Sequence, residues 1–393
     1  MPSILFINRV YPPDDGATGQ LLAELAEALV REGWTVTVLV AGNLQPSTFN
    51  LQPSVVRVRG LPFTRASLVR RALSYASLYP ALLWRALRLP RHDVIVTLTD
   101  PPLLLTLGPL LKFWKRARLV HWAQDVYPEV AEELGVVRKN GLGARVLRGL
   151  SNWSLRRHDQ IIAVGRCMKD RLLARGIRAD RITVIPNWAV SASGSQLSTL
   201  NPQHPFTVMY SGNFGLAHPF EAIIEAVKIL HDASPREAGH HALVRFVFAG
   251  TGPRLEAVRT ALASCANVEF RPPAPLDKLS EALAAADVHL ACMSDALLGL
   301  VVPSKIYGAL AAQRPVIFLG PCASEAARVI LESGRGLVLD PICGGVELAA
   351  VLRRWAARDA EYTSARAACA AAPSAGVPLA DFLRALTPPP RRD

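Results

Sequence analysis

Short runs of valine, isoleucine and leucine alternate along the first half of the chain with longer stretches of helical periodicity. Runs that are apolar at nearly every position are typical of strands buried on both faces of a parallel sheet. The helical stretch 18–32 follows the first run and ends at Gly33, a residue that commonly terminates helices. This order predicts a doubly wound α/β domain. The predicted strands are 3–7, 35–41, 55–58, 94–98, 118–123, 160–164 and 182–185.

A second series of strands and helices begins after a segment of different composition. Residues 189–205 are rich in serine, asparagine and proline and have no apolar periodicity, which predicts a linker. The chain therefore divides into a Rossmann-like domain 1–188, a second one at 206–372 and a tail at 373–393, whose last residues are expected to be disordered. The predicted elements of the second domain are 207–210, 219–233, 244–248, 254–263, 268–270, 276–284, 288–292, a helix after Ser304, and 316–319.

The net charge of +12 is concentrated in the first domain. Residues 61–120 contain ten basic side chains and two acidic ones. Within 61–91, aromatic residues and leucines are interleaved with arginines, a pattern that favours contact with an anionic membrane surface. The alternatives are an ordinary helix with an arginine-rich solvent face, or a nucleic-acid site. No nucleic-acid motif accompanies the charge, so no nucleic-acid partner is expected.

Cysteine usage and hydropathy predict where the protein works. The six cysteines form no C-x-x-C pair, as is usual in a reducing compartment. The first residues lead directly into a predicted strand without a signal-peptide pattern, and no apolar run reaches membrane-spanning length. We therefore expect a cytoplasmic protein that is peripheral on the inner face of the plasma membrane.

Two loops that follow predicted strands have residues suited to phosphate binding. Gly16 and Gly19 would let the backbone approach a ligand closely, and Thr18 lies with them at the start of the first helix. In the second domain, Ser304 is a good residue to cap a helix, whereas Lys305 in the first turn is unfavourable for the helix dipole. Lys305 is, however, well placed to share a bound phosphate with free helix amides. The alternatives are a plain strand–helix turn and a solvated lysine.

Four segments together resemble the family-four retaining glycosyltransferases, and more narrowly the bacterial branch that builds O-antigen and colanic acid. The segments are YPPDDGATG at 11–19, HWAQDVYPE at 121–129, YSGNFG at 210–215 and VPSKIYGALAAQRPVI at 302–317. The resemblance implies the GT-B fold, with two Rossmann-like doubly wound domains facing a central cleft. It implies no cofactor, and the chain has no D-x-D motif for a metal and no Gly-Lys pair for a Walker loop.

The resemblance also implies a donor site in the second domain. Gly212 and Asn213 would face the diphosphate of a nucleotide sugar, together with Ser304 and Lys305. The family usually has an arginine and a lysine shortly after this loop, where this chain has His218. The loops expected around the nucleobase contain Gly250, Gly252 and Arg271.

One departure from the family concerns a pair of glutamates that flanks the phosphate-binding helix in most members. Leu300 and Gly308 occupy the approximate positions here, and Glu325 is a candidate to supply part of the missing acidic function. In the first domain, Asp125 and His121 lie at the end of a predicted strand. A carboxylate there could orient or deprotonate an acceptor hydroxyl, the alternative being a helix cap.

The predicted function is therefore retaining transfer of a hexosyl group from a nucleotide sugar, with UDP as the expected nucleotide, to a polyprenyl-diphosphate-linked acceptor in cell-surface polysaccharide synthesis. Two alternatives stay open from the sequence. A sugar-nucleotide 2-epimerase shares the GT-B architecture, and the missing glutamate pair would also suit a non-catalytic partner in a polysaccharide assembly complex.

Overall fold

The structure is a computed structural model that divides into two compact units. Unit 1 comprises Met1–Asn187, Gly299–Val302 and Val377–Asp393, and unit 2 comprises Trp188–Leu298 and Pro303–Gly376. The residues described are 1–14, 16–42, 53–61, 68–189, 205–233, 244–340, 342, 344–372 and 376–387. Of the side chains at 68–72, only that of Arg70 is described. Most of the predicted linker and the last residues of the predicted tail lie outside them.

The described part of unit 1 is built on a seven-stranded parallel sheet. Its strands are β1 Ser3–Ile7, β2 Thr35–Ala41, β3 Ser54–Val58, β4 Val94–Thr97, β5 Arg118–Ala123, β6 Gln160–Ala163 and β7 Ile182–Val184, in the spatial order β3-β2-β1-β4-β5-β6-β7. Its helices are α1 Ala17–Arg31, α2 Leu68–Arg88, α3 Gly108–Lys115, α4 Glu129–Glu133, α5 Leu142–Leu155 and α6 Arg166–Ala174. The order reverses beside β1, so the strands wind in both directions from it, as predicted for a doubly wound domain.

The described part of unit 2 contains a six-stranded parallel sheet. Its strands are β8 Phe206–Asn213, β9 Val244–Thr251, β10 Val268–Arg271, β11 Val288–Cys292, β12 Val316–Leu319 and β13 Gly336–Leu339, in the order β10-β9-β8-β11-β12-β13. Its helices are α7 Glu221–Asp232, α8 Leu255–Ala261, α9 Leu279–Ala284, α10 Lys305–Ala311, α11 Glu325–Ser333, α12 Gly344–Ala356 and α13 Ala360–Ala371. Both sheets have the Rossmann-like arrangement that the sequence predicted, and the fold class is confirmed.

Strand β8 is longer than predicted and ends beyond the motif that follows it. The prediction stopped at Tyr210, whereas the strand continues to Asn213 and pairs with β9 through Gly212 opposite Gly250. Below this end, Phe214 stacks on Phe220 at a centroid distance of 5.1 Å, and both rings are buried. The aromatic core therefore fixes the position at which β8 leaves the sheet.

The C-terminal residues of the chain belong to unit 1. The sequence predicted a tail from residue 373, whereas the structure has helix α14, Leu379–Leu386, at this position. Phe382 of α14 packs edge-to-face on Trp122 of β5 at 4.9 Å, and Arg118 donates a hydrogen bond to the carbonyl of Ala385 at 3.2 Å. Burial of Phe382 is what holds these last residues in place.

Helix α2 turns most of its apolar side toward the core of unit 1. Leu78 and Leu82 are buried, and Tyr79 donates a hydrogen bond to the carbonyl of Pro102. The pattern in residues 61–91 favours membrane contact, but these side chains pack against the sheet and do not contribute to such a contact. Trp84 of the same helix is exposed. Within the described ranges, no helix has both the length and the apolarity to span a membrane.

Candidate active site

Lys305 lies at the carboxyl edge of the sheet of unit 2, at the first residue of α10. Its ammonium donates hydrogen bonds to the hydroxyl of Tyr210 and, at 2.9 Å, to the carbonyl of Asn213. The Tyr210 hydroxyl donates to the same carbonyl at 2.9 Å. Within the described part of the chain, no carboxylate forms an ion pair with this ammonium, so the partners that hold it are neutral.

Burial of Lys305 has an electrostatic consequence. It lowers the pKa of the ammonium to about 7, and the nearby Cys292 thiol opposes the shift. Desolvation without a counter-charge destabilises the charged form. An anion bound beside the ammonium would restore the pKa, so the free energy of binding that anion is coupled to proton uptake. The arrangement is suited to a group with two or more negative charges, such as a diphosphate.

Glycines bring Lys305 and the strand ends into close contact. A Cβ on Gly212, whose φ is +128°, would lie 2.9 Å from Cε of Lys305. A Cβ on Gly250 would lie 1.9 Å from the carbonyl oxygen of Gly212, and one on Gly252 would lie 2.6 Å from Oδ1 of Asn213. Gly250 and Gly252 were predicted to surround a nucleobase. That role stays a prediction, and what the structure shows is that both glycines allow the backbone at the end of β9 to pack closely on the end of β8.

His218 lies beside the same cluster and is uncharged. Its Nδ1 is 2.6 Å from the carbonyl oxygen of Cys292, and a carbonyl can only accept, so Nδ1 carries the proton. Burial, followed by the charge of Lys305, lowers the pKa of His218 to about 4. The Nε2 atom is therefore an acceptor at neutral pH. A neutral histidine cannot substitute as a cation for the basic pair that the family usually has at this point.

Arg254 is a cation near this loop that the sequence analysis missed. Its guanidinium donates to the carbonyl of His218 at 2.9 Å and forms an ion pair with Glu221. It lies immediately before α8, on the loop that contains Gly252. No sequence signal marked it, because it belongs to a loop 36 residues away from His218.

The other predicted donor-site residues occupy separate positions. Ser304 does not cap α10 through its side chain, because its backbone is already helical at φ −69° and ψ −17°. Glu325 is buried in the first turn of α11, which begins after β12. Arg271 is on the edge strand β10 and is bound by Glu269 at 2.5 and 3.0 Å. The structure therefore groups Lys305 with Gly212, Asn213 and His218, and places Arg271 two strands away.

In unit 1, Arg57 fixes the loop that leads into α1. It donates to the carboxylate of Asp14 at 2.7 Å and to the carbonyl oxygens of Tyr11 and Pro12 at 3.2 and 2.8 Å. Gly19 is buried in the first turn of α1, where a Cβ would lie 3.1 Å from the carbonyl oxygen of Val10. Gly16 precedes this helix, and Thr18 is half-buried in its first turn. The helix N-terminus is thus held tightly against the backbone of the loop.

Asp125 lies just beyond β5, at the carboxyl edge of the sheet of unit 1. Its backbone pairs with that of Val301, and Val126 donates to the carbonyl of Leu300 at 2.8 Å. The side chain is half-buried, and this burial together with the charge of Asp100 raises its pKa to about 7. A carboxyl group with that pKa can accept a proton at neutral pH, which suits a general base.

Asp100, whose negative charge contributes to this shift, belongs to an ion pair that the sequence did not predict. Arg9 follows β1 and binds Asp100 through two hydrogen bonds of 2.7 Å. Beside them Gln124 and Asn187 exchange two side-chain hydrogen bonds, at 3.1 and 2.9 Å, and both are buried. The sequence could have predicted this cluster, because polar residues that follow neighbouring parallel strands meet at the carboxyl edge of the sheet.

His121, for which a catalytic role is predicted, does not belong to the same accessible group. The ring is buried, and Nδ1 lies 2.9 Å from the carbonyl oxygen of Thr97 and 3.2 Å from its hydroxyl. Burial and the neighbouring His158 lower its pKa to about 3. Alternating residues of a strand point to opposite faces, and His121 points into the core. These contacts favour a structural role for His121, and its catalytic role stays a prediction.

Comparison with known proteins adds three findings. A glycosyl transferase 4-like domain is recognised over residues 16–188. The chain is 27% identical to the probable glycosyltransferase WbjE of Pseudomonas aeruginosa, over 86% of this chain and 85% of that protein. It is 24% identical to the putative colanic acid biosynthesis glycosyl transferase WcaI of Escherichia coli K12, over 78% of this chain and 81% of that one.

The fold is also that of a solved structure. The crystal structure of Anabaena HepE in complex with UDP and glucose superimposes with a TM-score of 0.65 and covers 98% of this chain and 96% of HepE. The sequence identity is 17%, so this likeness concerns the fold. It confirms the GT-B architecture predicted from the sequence.

Proposed function

We propose that the chain is a group 4 glycosyltransferase of the GT-B fold, similar to WbjE and WcaI, and that it transfers a hexosyl group from a nucleotide sugar to a lipid-linked acceptor during polysaccharide biosynthesis. UDP-sugars are the first donors to consider, since HepE was crystallised with UDP and glucose. Transfer proceeds with retention of configuration at the anomeric carbon.

The observation that carries the proposal is the environment of Lys305. Its desolvated ammonium is held by the hydroxyl of Tyr210 and the carbonyl of Asn213 at the end of β8. Sugar transfer breaks the bond between the anomeric carbon and the donor phosphate oxygen, and negative charge accumulates on the departing diphosphate. A fixed cation that needs no reorganisation stabilises that charge, and the loss of one such contact commonly costs about 3–4 kcal/mol.

The neighbouring groups have complementary roles. Nε2 of His218 accepts a hydrogen bond from a sugar or ribose hydroxyl, since Nδ1 is occupied by the carbonyl of Cys292. The backbone at Gly212 allows the diphosphate to approach without a side chain in between. Ser304 adds a hydroxyl donor in the turn before Lys305, and Arg254 adds positive charge on the other side of His218.

In unit 1, Asp125 orients the acceptor hydroxyl and receives its proton. Its pKa of about 7 allows both protonation states at neutral pH. The acceptor oxygen attacks the anomeric carbon on the face from which the diphosphate departs, so configuration is retained without a covalent enzyme intermediate. The hydroxyl proton passes to Asp125, and the diphosphate leaves with the electron pair of the broken bond. Positioning and charge stabilisation supply the rate enhancement. The positive charge of unit 1 suits an acceptor that is itself a polyprenyl diphosphate at an anionic membrane face.

A donor screen tests the proposal. Purified protein is incubated with a set of UDP- and GDP-sugars and with lipid extract that contains polyprenyl-linked saccharides, and nucleotide release and the labelled lipid product are followed. Sugar transfer that needs both donor and extract supports the proposal. Conversion of the donor to its 2-epimer without an acceptor would instead establish an epimerase. The absence of nucleotide release with every donor, in protein that binds UDP, would favour a non-catalytic partner.

A further inference from the structure

Helix α5 exposes an apolar stripe in unit 1. Leu142, Val146, Leu150 and Trp153 are 80%, 61%, 43% and 38% exposed. Their spacing of four, four and three residues places them on one side of a helix. The opposite side contains the buried residues Ala144, Ser151, Ser154 and Leu155. Single exposed apolar residues are common, but a row of four along one helix is unusual.

Helix α3 extends this apolar surface. Phe113 is 76% exposed and Trp114 is 65% exposed, and their rings meet edge-to-face at 5.9 Å. Lys112 of α3 donates to the carbonyl of Arg157, just beyond α5, at 3.4 Å, which shows that the two helices are neighbours. We call the exposed side chains of α3 and α5, together with Arg156 and Arg157, the α3–α5 surface.

A cavity of about 590 Å³ lies within this surface. Its walls include Phe113, Trp153, Arg156 and Arg181. The guanidinium of Arg157 stacks on the ring of Trp153 at 4.4 Å. The cavity therefore combines aromatic walls with several guanidinium groups, which are strong donors to phosphate oxygens.

The charged side chains of α3 and α5 themselves are all basic. Residues 101–124 and 140–158, which contain both helices, have no acidic side chain. Asp159 lines the cavity, but Lys112 binds its carboxylate at 2.5 Å. Arg145, Arg156 and Arg157 are exposed. A surface that is both strongly basic and rich in exposed aromatic rings matches an anionic bilayer, where the rings enter the headgroup region and the arginines meet lipid phosphates.

We propose that the α3–α5 surface docks unit 1 onto an anionic lipid bilayer, with Phe113 and Trp114 inserted among the headgroups and with a lipid phosphate in the cavity beside Trp153. The inference deepens the proposed function, because a lipid-linked acceptor is presented at such a surface. It also moves the predicted membrane contact from residues 61–91 to α3 and α5. Helix α2 contributes at the margin, since Lys115 of α3 donates to the carbonyl of Leu87 at 2.8 Å.

Binding to vesicles tests this surface without any measurement of transfer. Wild-type protein is mixed with vesicles of phosphatidylcholine alone, or with about a third phosphatidylglycerol, and sedimented. The first variant is Phe113→Ser with Trp114→Ser, and its control is Leu331→Ser with Val346→Ser, which removes two exposed apolar side chains of unit 2. The second is Arg156→Glu with Arg157→Glu, and its control is Lys228→Glu with Arg353→Glu, which makes the same change of charge at exposed positions of unit 2.

Wild-type protein and both controls should bind the anionic vesicles and not the neutral ones. Each cation near an acidic bilayer is worth about a fivefold change in affinity, so the arginine variant should bind at least about 25-fold more weakly. High salt screens the attraction between arginines and lipid phosphates, so the binding that remains depends on insertion of the aromatic rings. The aromatic variant should therefore differ most from wild type at high salt. Retained binding of both variants at wild-type affinity would overturn the proposal, and so would equal losses in variants and controls.

Bilayer insertion can also be measured in the wild-type protein. Vesicles with brominated acyl chains should quench tryptophan fluorescence, and Trp114→Phe should remove most of the quenching, whereas Trp84→Phe should remove little. Quenching that is unaffected by Trp114→Phe would contradict insertion of α3. A protein that docks in this way but releases no nucleotide would refute the proposed function alone, and a transferase that ignores vesicles would refute the docking alone.

Discussion

The ammonium of Lys305 lies 4.1 Å from the centre of the Tyr210 ring and donates a hydrogen bond to the hydroxyl of the same residue. A cation held by an aromatic face and neutral acceptors keeps its side-chain geometry without a carboxylate that would compete with a substrate anion. The two residues are 95 positions apart in the chain, and the parallel sheet brings the end of β8 next to the start of α10. The side-chain nitrogen is therefore in position before the donor arrives, and a bound anion favours its charged form.

Donor binding should take up a proton above neutral pH. The pKa of Lys305 is about 7 in the free protein, so at pH 8 most molecules have a neutral amine. A bound diphosphate favours the ammonium, which raises the pKa and makes donor affinity fall as the pH increases beyond 7. Calorimetry of UDP binding at pH 8, in buffers of different ionisation enthalpy, should detect uptake of up to one proton by wild-type protein. Uptake of the same size in Lys305→Met would show that another group titrates.

Asp125→Asn should reduce transfer and leave donor affinity unchanged. The carboxyl group is ionised above its pKa of about 7, so wild-type transfer should increase as the pH rises through that value. The amide cannot titrate, and general base catalysis commonly contributes about 100- to 10,000-fold. Steady-state rates from pH 5.5 to 8.5 with saturating donor make the comparison, with the exposed Asp180→Asn as control. A parallel loss of donor affinity would place Asp125 in the donor site instead.

His121→Gln should destabilise unit 1 without changing the chemistry. The substitution disturbs a buried ring that is bonded to the carbonyl of Thr97, which commonly costs about 1–3 kcal/mol of unfolding free energy. Turnover per folded molecule should match that of wild type and of the control His231→Gln, when folding is verified by denaturant unfolding. Turnover that falls tenfold at unchanged stability would restore a catalytic role.

Acid should destabilise the protein through the same histidines. The pKa values of His121 and His158 are lowered by burial to about 3 and about 4, while histidines of the unfolded chain titrate near their ordinary pKa of 6.5. The unfolded state binds more protons in this window, so unfolding free energy should decrease as the pH falls from about 6.5 to about 4. In His121→Gln the dependence of stability on pH over this window should be shallower.

Gly212→Ala should displace Lys305 and reduce turnover. The new methyl group would lie 2.9 Å from Cε of Lys305, and the backbone at φ +128° disfavours any side chain. Both effects move the ammonium away from Asn213, and we expect a loss of turnover of at least about tenfold. Gly376→Ala, at a position with open space around it, is the control. Donor affinity, turnover and melting temperature equal to wild type would mean that Gly212 tolerates a side chain.

The sequence identified the seven strands described in the first sheet and five of the six described in the second, because most of their residues are buried and apolar, and it missed β13. It placed the end of β8 too early, since Ser211, Gly212 and Asn213 are poor strand formers and pairing with β9 overrides their local preference. Lys305 could be predicted from its place in a helix-starting turn, but its partner Tyr210 could not, because that contact depends on the packed sheet.

Burial is the other property that the sequence did not reveal. His121 lies within β5 and Asp125 just beyond it, yet the His121 ring points into the core while the Asp125 side chain lies at the carboxyl edge of the sheet. Likewise the apolar side of α2 packs inward while that of α5 is exposed, although both helices are rich in leucine and arginine. Periodicity indicates that a helix has two faces, and only packing decides which of them is covered.

The proposed function depends most on the charge of Lys305, and nucleotide release by Lys305→Met measures the contribution of that charge to turnover most directly. Methionine keeps the length and apolar stem but removes the charge, and Lys228→Met is the matched change at an exposed position of α7. With a competent donor and acceptor at pH 7, we predict that Lys305→Met lowers the turnover number about 100- to 1,000-fold. Its melting temperature should not fall, because removal of a desolvated charge relieves a cost of folding. Turnover within twofold of the Lys228→Met control, in a variant that melts like wild type, would contradict the assignment.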